Sequence, residues 1–141
     1  MDLRVLVLTG DHELGELVRS QVENLGCRVT MAATYDECIP ALGWAEAAVV
    51  DVAGGGMEDL YRLRIDTPLI RVLTIAQTDD EEARAIAAGS RRVLREPFSI
   101  ADVIDAVRAM GKRNTREVID LTTGERHRMP DEDDAPWWAT R

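Results

Sequence analysis

Several features that would settle a protein's class at once are scarce or missing in this chain. No apolar run is long enough to span a membrane, and the N-terminus enters a strand-like pattern directly instead of a charged, apolar leader. Only two cysteines occur, Cys27 and Cys38, each alone among apolar neighbours and without the paired spacing of a metal site. Buried thiols in a reducing, cytoplasmic setting are therefore expected. Positive charge is short as well: 17 basic against 26 acidic residues leave a net charge of -9, which argues against binding a phosphate backbone as the main role. A dinucleotide fingerprint is missing, because Gly10 and Gly15 follow the first apolar run with His12 where the second glycine belongs. His12 and Gly15 match the second half of a D-x-H-x-x-G corrin loop, but Gly10 stands where its aspartate is needed, so cobalamin is not expected either. His12 is then a polar residue in the first turn of a surface helix, and His127 a surface residue near the C-terminus. No helix-turn-helix pattern is visible.

What is present is a regular alternation. The run `RVLVL` (4–8) is continuously apolar, as in a parallel strand covered on both faces. Leu14, Leu17, Val18, Val22 and Leu25 recur at helical spacing up to Gly26, a natural stop. `RVTMA` (28–32) reads as a second strand, and Thr34 with Glu37 as the capping box of a helix that Pro40 shortens. `AAVVD` (47–51) is a third strand ending on an acid. `PLIRVLT` (68–74) is a fourth ending on a hydroxyl, and `RRVLRE` (91–96) a short fifth. Between the third and fourth strands, residues 57–66 leave room for a helix of roughly two turns. Thr78 with Glu81 opens the next helix, which closes at Gly89. Ser99 caps the last, whose apolar face is Ile100, Val103, Ile104 and Val107. Five such strand–helix units predict an α/β domain over 1–111, doubly wound around a five-stranded parallel sheet with helices on both faces.

Residues 112–141 differ in character. `EVIDLTTGERHRM` (117–129) reads as a hairpin about a Thr-Thr-Gly turn, followed by the acids 131–134 and then Trp137 and Trp138. Charges up to Gly111 are 11 basic against 19 acidic, and from Lys112 onward 6 against 7, so the acidity belongs to the first segment. Two adjacent tryptophans are costly to leave in water, so they fold back, join a dimer contact or anchor in a partner.

In doubly wound sheets the ligand crevice lies beyond the carboxyl ends of the strands. Those ends here carry Thr9, Gly10 and Asp11, then Asp51, Thr74 and Glu96. Asp51, followed by Gly54, Gly55 and Gly56, fits two roles. It is a nucleophile or metal ligand with loop amides near a phosphoryl group, or a carboxylate that only accepts loop hydrogen bonds.

Over roughly residues 3–110 the ordered set of motifs resembles the receiver domain of two-component response regulators. `VVD` (49–51) is similar to the strand ending in the phospho-accepting aspartate, and Met57 stands six places on, as a methionine commonly does there. `VLT` (72–74) resembles the strand bearing the hydroxyl that senses the phosphoryl group, and `GSRRVLREPFS` (89–99) the segment ending in Lys-Pro-Phe. The resemblance implies a flavodoxin-like sheet in the order 2-1-3-4-5, Asp51 as phosphoacceptor equivalent, Thr74 as switch hydroxyl and a cis bond at Glu96-Pro97.

The departures are specific. Two adjacent acids that would hold a divalent cation are replaced by Thr9 and Gly10, with Asp11 one step late. The lysine that would pair with the aspartate is Glu96, and the aromatic that moves on activation is Val93. Phosphoryl transfer to a carboxylate depends on positioned cations to offset charge. The expectation is thus a pseudo-receiver that is not an enzyme, needs no cofactor and signals by protein contact without phosphorylation. Two alternatives stay open: a phosphoacceptor of altered kinetics that uses Mg²⁺, with Asp11, Asp51 and Glu96 as a weak metal set, and a DNA-binding regulator using the C-terminal extension. Expected partners are proteins, with no nucleic acid and no membrane. One is a second copy docked through the fourth helix, fifth strand and fifth helix or the tail, where Arg91, Arg92, Arg95, Asp102, Arg108, Trp137 and Trp138 are the candidate contacts; a merely solvated charged surface is the plainer account of the charges.

Overall fold

The computed structural model describes residues 2–53 and 56–111 in full, together with the backbone of 116–119 and 126–129. The elements run β1 (Arg4–Leu8), α1 (His12–Asn24), β2 (Arg28–Ala32), α2 (Tyr35–Cys38), a 3₁₀ turn (Ile39–Ala41), β3 (Ala47–Asp51), α3 (Met57–Asp66), β4 (Arg71–Ala76), α4 (Asp79–Ala87), β5 (Arg92–Arg95) and α5 (Ile100–Gly111). Two further strands are β6 (Arg116–Ile119) and β7 (Arg126–Met129). Strands β1 to β5 form one parallel sheet in the order β2-β1-β3-β4-β5. This is the doubly wound arrangement that the strand–helix alternation implies.

Alternation along each strand builds two cores. Leu6 and Leu8 of β1, Val50 of β3 and Val72 of β4 share one face with Tyr35, Leu60 and Leu63. Val5 and Val7, Val49, and Leu73 and Ile75 share the other with Val18, Val22, Val103 and Val107. Successive side chains on a strand point to opposite faces, so continuous apolar runs are what a sheet covered on both sides requires. Each fully buried Leu, Ile or Val here contributes about 1.5–3 kcal/mol of transfer free energy.

Four of the five α-helices begin where short polar side chains satisfy free amides. Asp11 Oδ1 accepts from the Leu14 amide at 3.1 Å and opens α1. Thr34 caps α2, which Pro40 turns into the 3₁₀ segment after four residues. Thr78 and Glu81 form a complete capping box for α4, and Ser99 with Asp102 exchange the same pair of bonds at α5. Gly89 ends the α4 region with φ at 94°.

Three elements differ from the sequence expectation. Helix α3 spans ten residues, nearly three turns, because Met57 through Asp66 are all helical and the Thr67 amide still closes on the Leu63 carbonyl. Strand β4 starts at Arg71, since the Ile70 amide is spent on a turn to Thr67 and Leu69 stands exposed. It also runs two residues past Thr74, to Ala76. Strand β5 is one residue shorter at each end than 91–96. Of the apolar positions expected to face the core from the first and last helices, Leu17 and Ile100 remain exposed.

The chain divides into two compact units, Met1–Gly111 and Lys112–Arg141. In the second, β6 and β7 pair antiparallel, from Arg116 opposite Met129 to Ile119 opposite Arg126. Trp137, Trp138 and the acids before them lie outside the described residues.

Candidate functional site

The carboxyl ends of β1, β3 and β5 bring Thr9, Gly10, Asp11, Asp51 and Glu96 to one mouth, together with Asp59 from α3 and Gln77 from the β4–α4 turn. The cavity there is about 560 Å³. Asp51 sits at its floor, half-buried at the last position of β3. Its Oδ2 accepts from the Thr9 hydroxyl at 2.8 Å and its Oδ1 from the Ala53 amide at 3.1 Å. Thr9 is itself buried, its amide held by the Ala32 carbonyl, and its Oγ1 also accepts from the Asp11 amide at 3.0 Å. Gly56 closes the loop over this floor: a Cβ there would lie 2.0 Å from the Asp51 carbonyl oxygen.

Burial is the main influence on the Asp51 carboxyl and pushes its pKa up. The two donated hydrogen bonds oppose that, while the negative charges of Glu96 and Asp11 add to it. Asp59 is raised as well, chiefly by burial, against a smaller pull from Arg62. Four carboxylates thus line one cavity, and none of the described residues that line it is an arginine, lysine or histidine. The chain's single lysine, Lys112, lies outside the described residues.

A divalent cation does not fit this donor set. Asp11 is exposed and its Oδ1 is spent on the α1 amide, Gly10 offers no side chain, and Thr9 donates its hydroxyl proton to Asp51. Among the described residues no three acidic, histidine or cysteine side chains are grouped so as to hold a metal ion, so Asp11, Asp51 and Glu96 share the cavity without forming a centre. The Glu96-Pro97 peptide is cis.

Thr74 is placed elsewhere. It has the parity of Val72 and Ala76, on the face opposite Val49 and Ile75, and its hydroxyl donates to Ser90 Oγ at 2.7 Å. Asp51 pairs with Ile75, so the position at the strand edge belongs to Ala76, whose carbonyl accepts from the Glu96 amide. Reading `PLIRVLT` (68–74) as a strand that ends on its hydroxyl puts Thr74 at that edge, whereas β4 runs two residues beyond it. The hydroxyl that reaches Asp51 is the one on Thr9.

Beside the cavity lies an apolar groove lined by Leu14, Leu17, Pro97 and Phe98; it shares Leu14, Gln77 and Glu96 with the cavity. On the α4–β5 side, Arg95 donates to Asp79 and Glu82 and to the Gln77 carbonyl at 3.2 Å, so its charge is engaged within the domain. Arg92 and Arg108 are exposed, Arg91 and Val93 are half-buried, and Asp102 is occupied in capping α5. Sequence reasoning missed Asp59 and Gln77 as parts of the mouth. Their signal was positional: each stands at or just before the first turn of a helix that follows a strand end.

The described domain has the fold of response-regulator receiver domains. A CheY-like receiver domain from Methanospirillum hungatei JF-1 superposes with a TM-score of 0.68 at 17% identity, covering 77% of this chain and 93% of that one. A response regulator from Thermotoga maritima gives 0.69 at 19%, covering 78% and 98%. The chemotaxis protein CheY4 of Vibrio cholerae gives 0.68 at 16%, covering 78% and 99%. In sequence, the chain is 28% identical over 123 residues to the probable transcriptional regulatory protein TcrX of Mycobacterium tuberculosis. That alignment covers 82% of this chain and 53% of the relative, so the chain spans about half the length of the curated protein it matches. No family model matches the sequence. Among the described residues no helix is long and apolar enough to cross a membrane.

Proposed function

We propose that this domain is a receiver-fold interaction module, a pseudo-receiver, whose output does not depend on phosphorylation of Asp51. The observation that carries this is the composition of the mouth: Asp51 shares it with Asp11, Asp59 and Glu96, and no described cation faces it. A phosphoryl group added to Asp51 would bring further negative charge against Glu96 and Asp11, with no arginine, lysine or histidine among the described lining residues to offset it. Thr74, the other half of a phosphate-sensing pair, is committed to Ser90. Signalling through protein contact is then the role left to the fold.

Incubation of the chain with acetyl phosphate and Mg²⁺, followed by intact mass, tests this. No phosphoryl adduct is expected beyond that found with Asp51→Asn. An efficient adduct absent from that variant would establish the alternative, a phosphoacceptor of altered kinetics. The TcrX name concerns transcription in a protein of which the alignment covers only 53%. DNA contact by this chain has little support, since the residues from Lys112 onward are near neutral in charge.

A further inference from the structure

The cavity over Asp51 and the groove beside it are one continuous surface with two chemistries. They share Leu14, Gln77 and Glu96. On one side of that seam stand Leu17, more than two-fifths exposed, with Pro97 and Phe98. On the other lie Asp11, Asp51, Asp59 and Glu96.

Exposed apolar side chains at a groove favour an apolar occupant. Carboxylates with no cation among the described residues lining their cavity favour a planar, multidonor cation over a compact ammonium, because a guanidinium can bridge separate carboxylates with less loss of hydration. Among the described residues no three acidic, histidine or cysteine side chains are grouped so as to hold a metal ion, so a guanidinium matches the spread of carboxylates better. The domain's charge, 11 basic against 19 acidic residues up to Gly111, favours approach of a basic partner over long range.

We infer that this mouth is a docking site for a partner protein segment in which an arginine stands next to a bulky apolar residue. The arginine enters the cavity towards Asp51 and Glu96, and the apolar side chain lies on Leu17, Pro97 and Phe98. The inference deepens the proposed function and rests on Asp51 remaining unphosphorylated. It places that contact at the former chemical site and not on the α4–β5–α5 surface.

Four short blocked peptides serve as probes against the full chain: Gly-Arg-Trp-Gly, Gly-Lys-Trp-Gly, Gly-Arg-Ala-Gly and Gly-Glu-Trp-Gly, read by amide chemical shifts. Gly-Arg-Trp-Gly is expected to bind tightest, to perturb Gly10, Ala53, Gln77 and Phe98, and to weaken as salt rises. Replacing its arginine by glutamate, or its tryptophan by alanine, should cost roughly tenfold each. Leu17→Glu, at an exposed position, should lose the tryptophan preference alone, and Glu96→Gln the arginine preference alone. Equal binding of all four peptides, or perturbations confined to another face, would overturn the inference. Phosphorylation is read separately: an Asp51 adduct refutes the proposed function, whereas peptide indifference in a chain that takes no phosphate refutes only this docking site.

Discussion

At the α4–β5 side of the sheet the acids are matched. Arg95 reaches from the last position of β5 to Asp79 and Glu82 of α4 and to the Gln77 carbonyl. At the mouth over β1 and β3 they are not: Glu96, the next residue along, faces the cavity of Asp11, Asp51 and Asp59. One step along the chain separates a compensated cluster from an uncompensated one. The difference is directional, since consecutive side chains at a strand end point to opposite sides. Charge count alone would not reveal it.

Four changes break or sharpen that contrast. The largest effect should come from Gly56→Ala, which forces the loop off the Asp51 carbonyl. A loss of about 2 kcal/mol is expected in urea unfolding, within the usual cost of overpacking. Next, Thr9→Val and Thr74→Val should each cost about 1 kcal/mol, the worth of a buried hydroxyl's bond. They should differ in one respect: only Thr9→Val raises the Asp51 titration seen by NMR, because only that hydroxyl touches it.

Glu96→Lys places a cation in the mouth. In the parent chain Asp51 has a raised folded pKa, so its contribution to stability is full below the ordinary carboxylate value and is lost as pH rises through the folded pKa. Exchanging the neighbour's charge should lower that pKa and shrink the loss, for a gain of up to about 1 kcal/mol at neutral pH. A variant whose stability still falls across the mildly acidic range as steeply as the parent would count against repulsion by Glu96. The smallest effect is expected for Arg95→Met. Its partner Asp79 is almost fully exposed, so a small loss is expected in urea unfolding at low salt and a smaller one at high salt.

Much of this was legible in the sequence. The continuous apolar runs fixed the sheet, and the capping pairs at Thr34, Thr78 and Ser99 fixed three helix starts, because both signals are local. The meeting of Thr9, Gly10, Asp51 and Glu96 at one mouth was legible too, since those positions are anchored by adjacent strand ends. Thr74 was not. Its role depended on where β4 stops, and Thr-Ile-Ala reads equally well as a strand end or a strand interior. Only the pairing of Asp51 with Ile75 places the edge at Ala76. The engagement of Arg95 was invisible for a related reason. Whether an arginine is spent within its own domain depends on the side of the strand it leaves from, and a patch of mixed charge looks the same either way.

The wall of the mouth at Gln77 is held from both directions: its amide donates to Glu81 at 2.7 Å and its carbonyl accepts from Arg95. A main-chain segment fixed in this way does not wait for a visitor to order it. Little conformational entropy is left to be surrendered there on association. Encounter would then be limited by diffusion and orientation instead of rearrangement. Ionic strength would act first on how fast a partner arrives, and the fit against this wall on how long it stays.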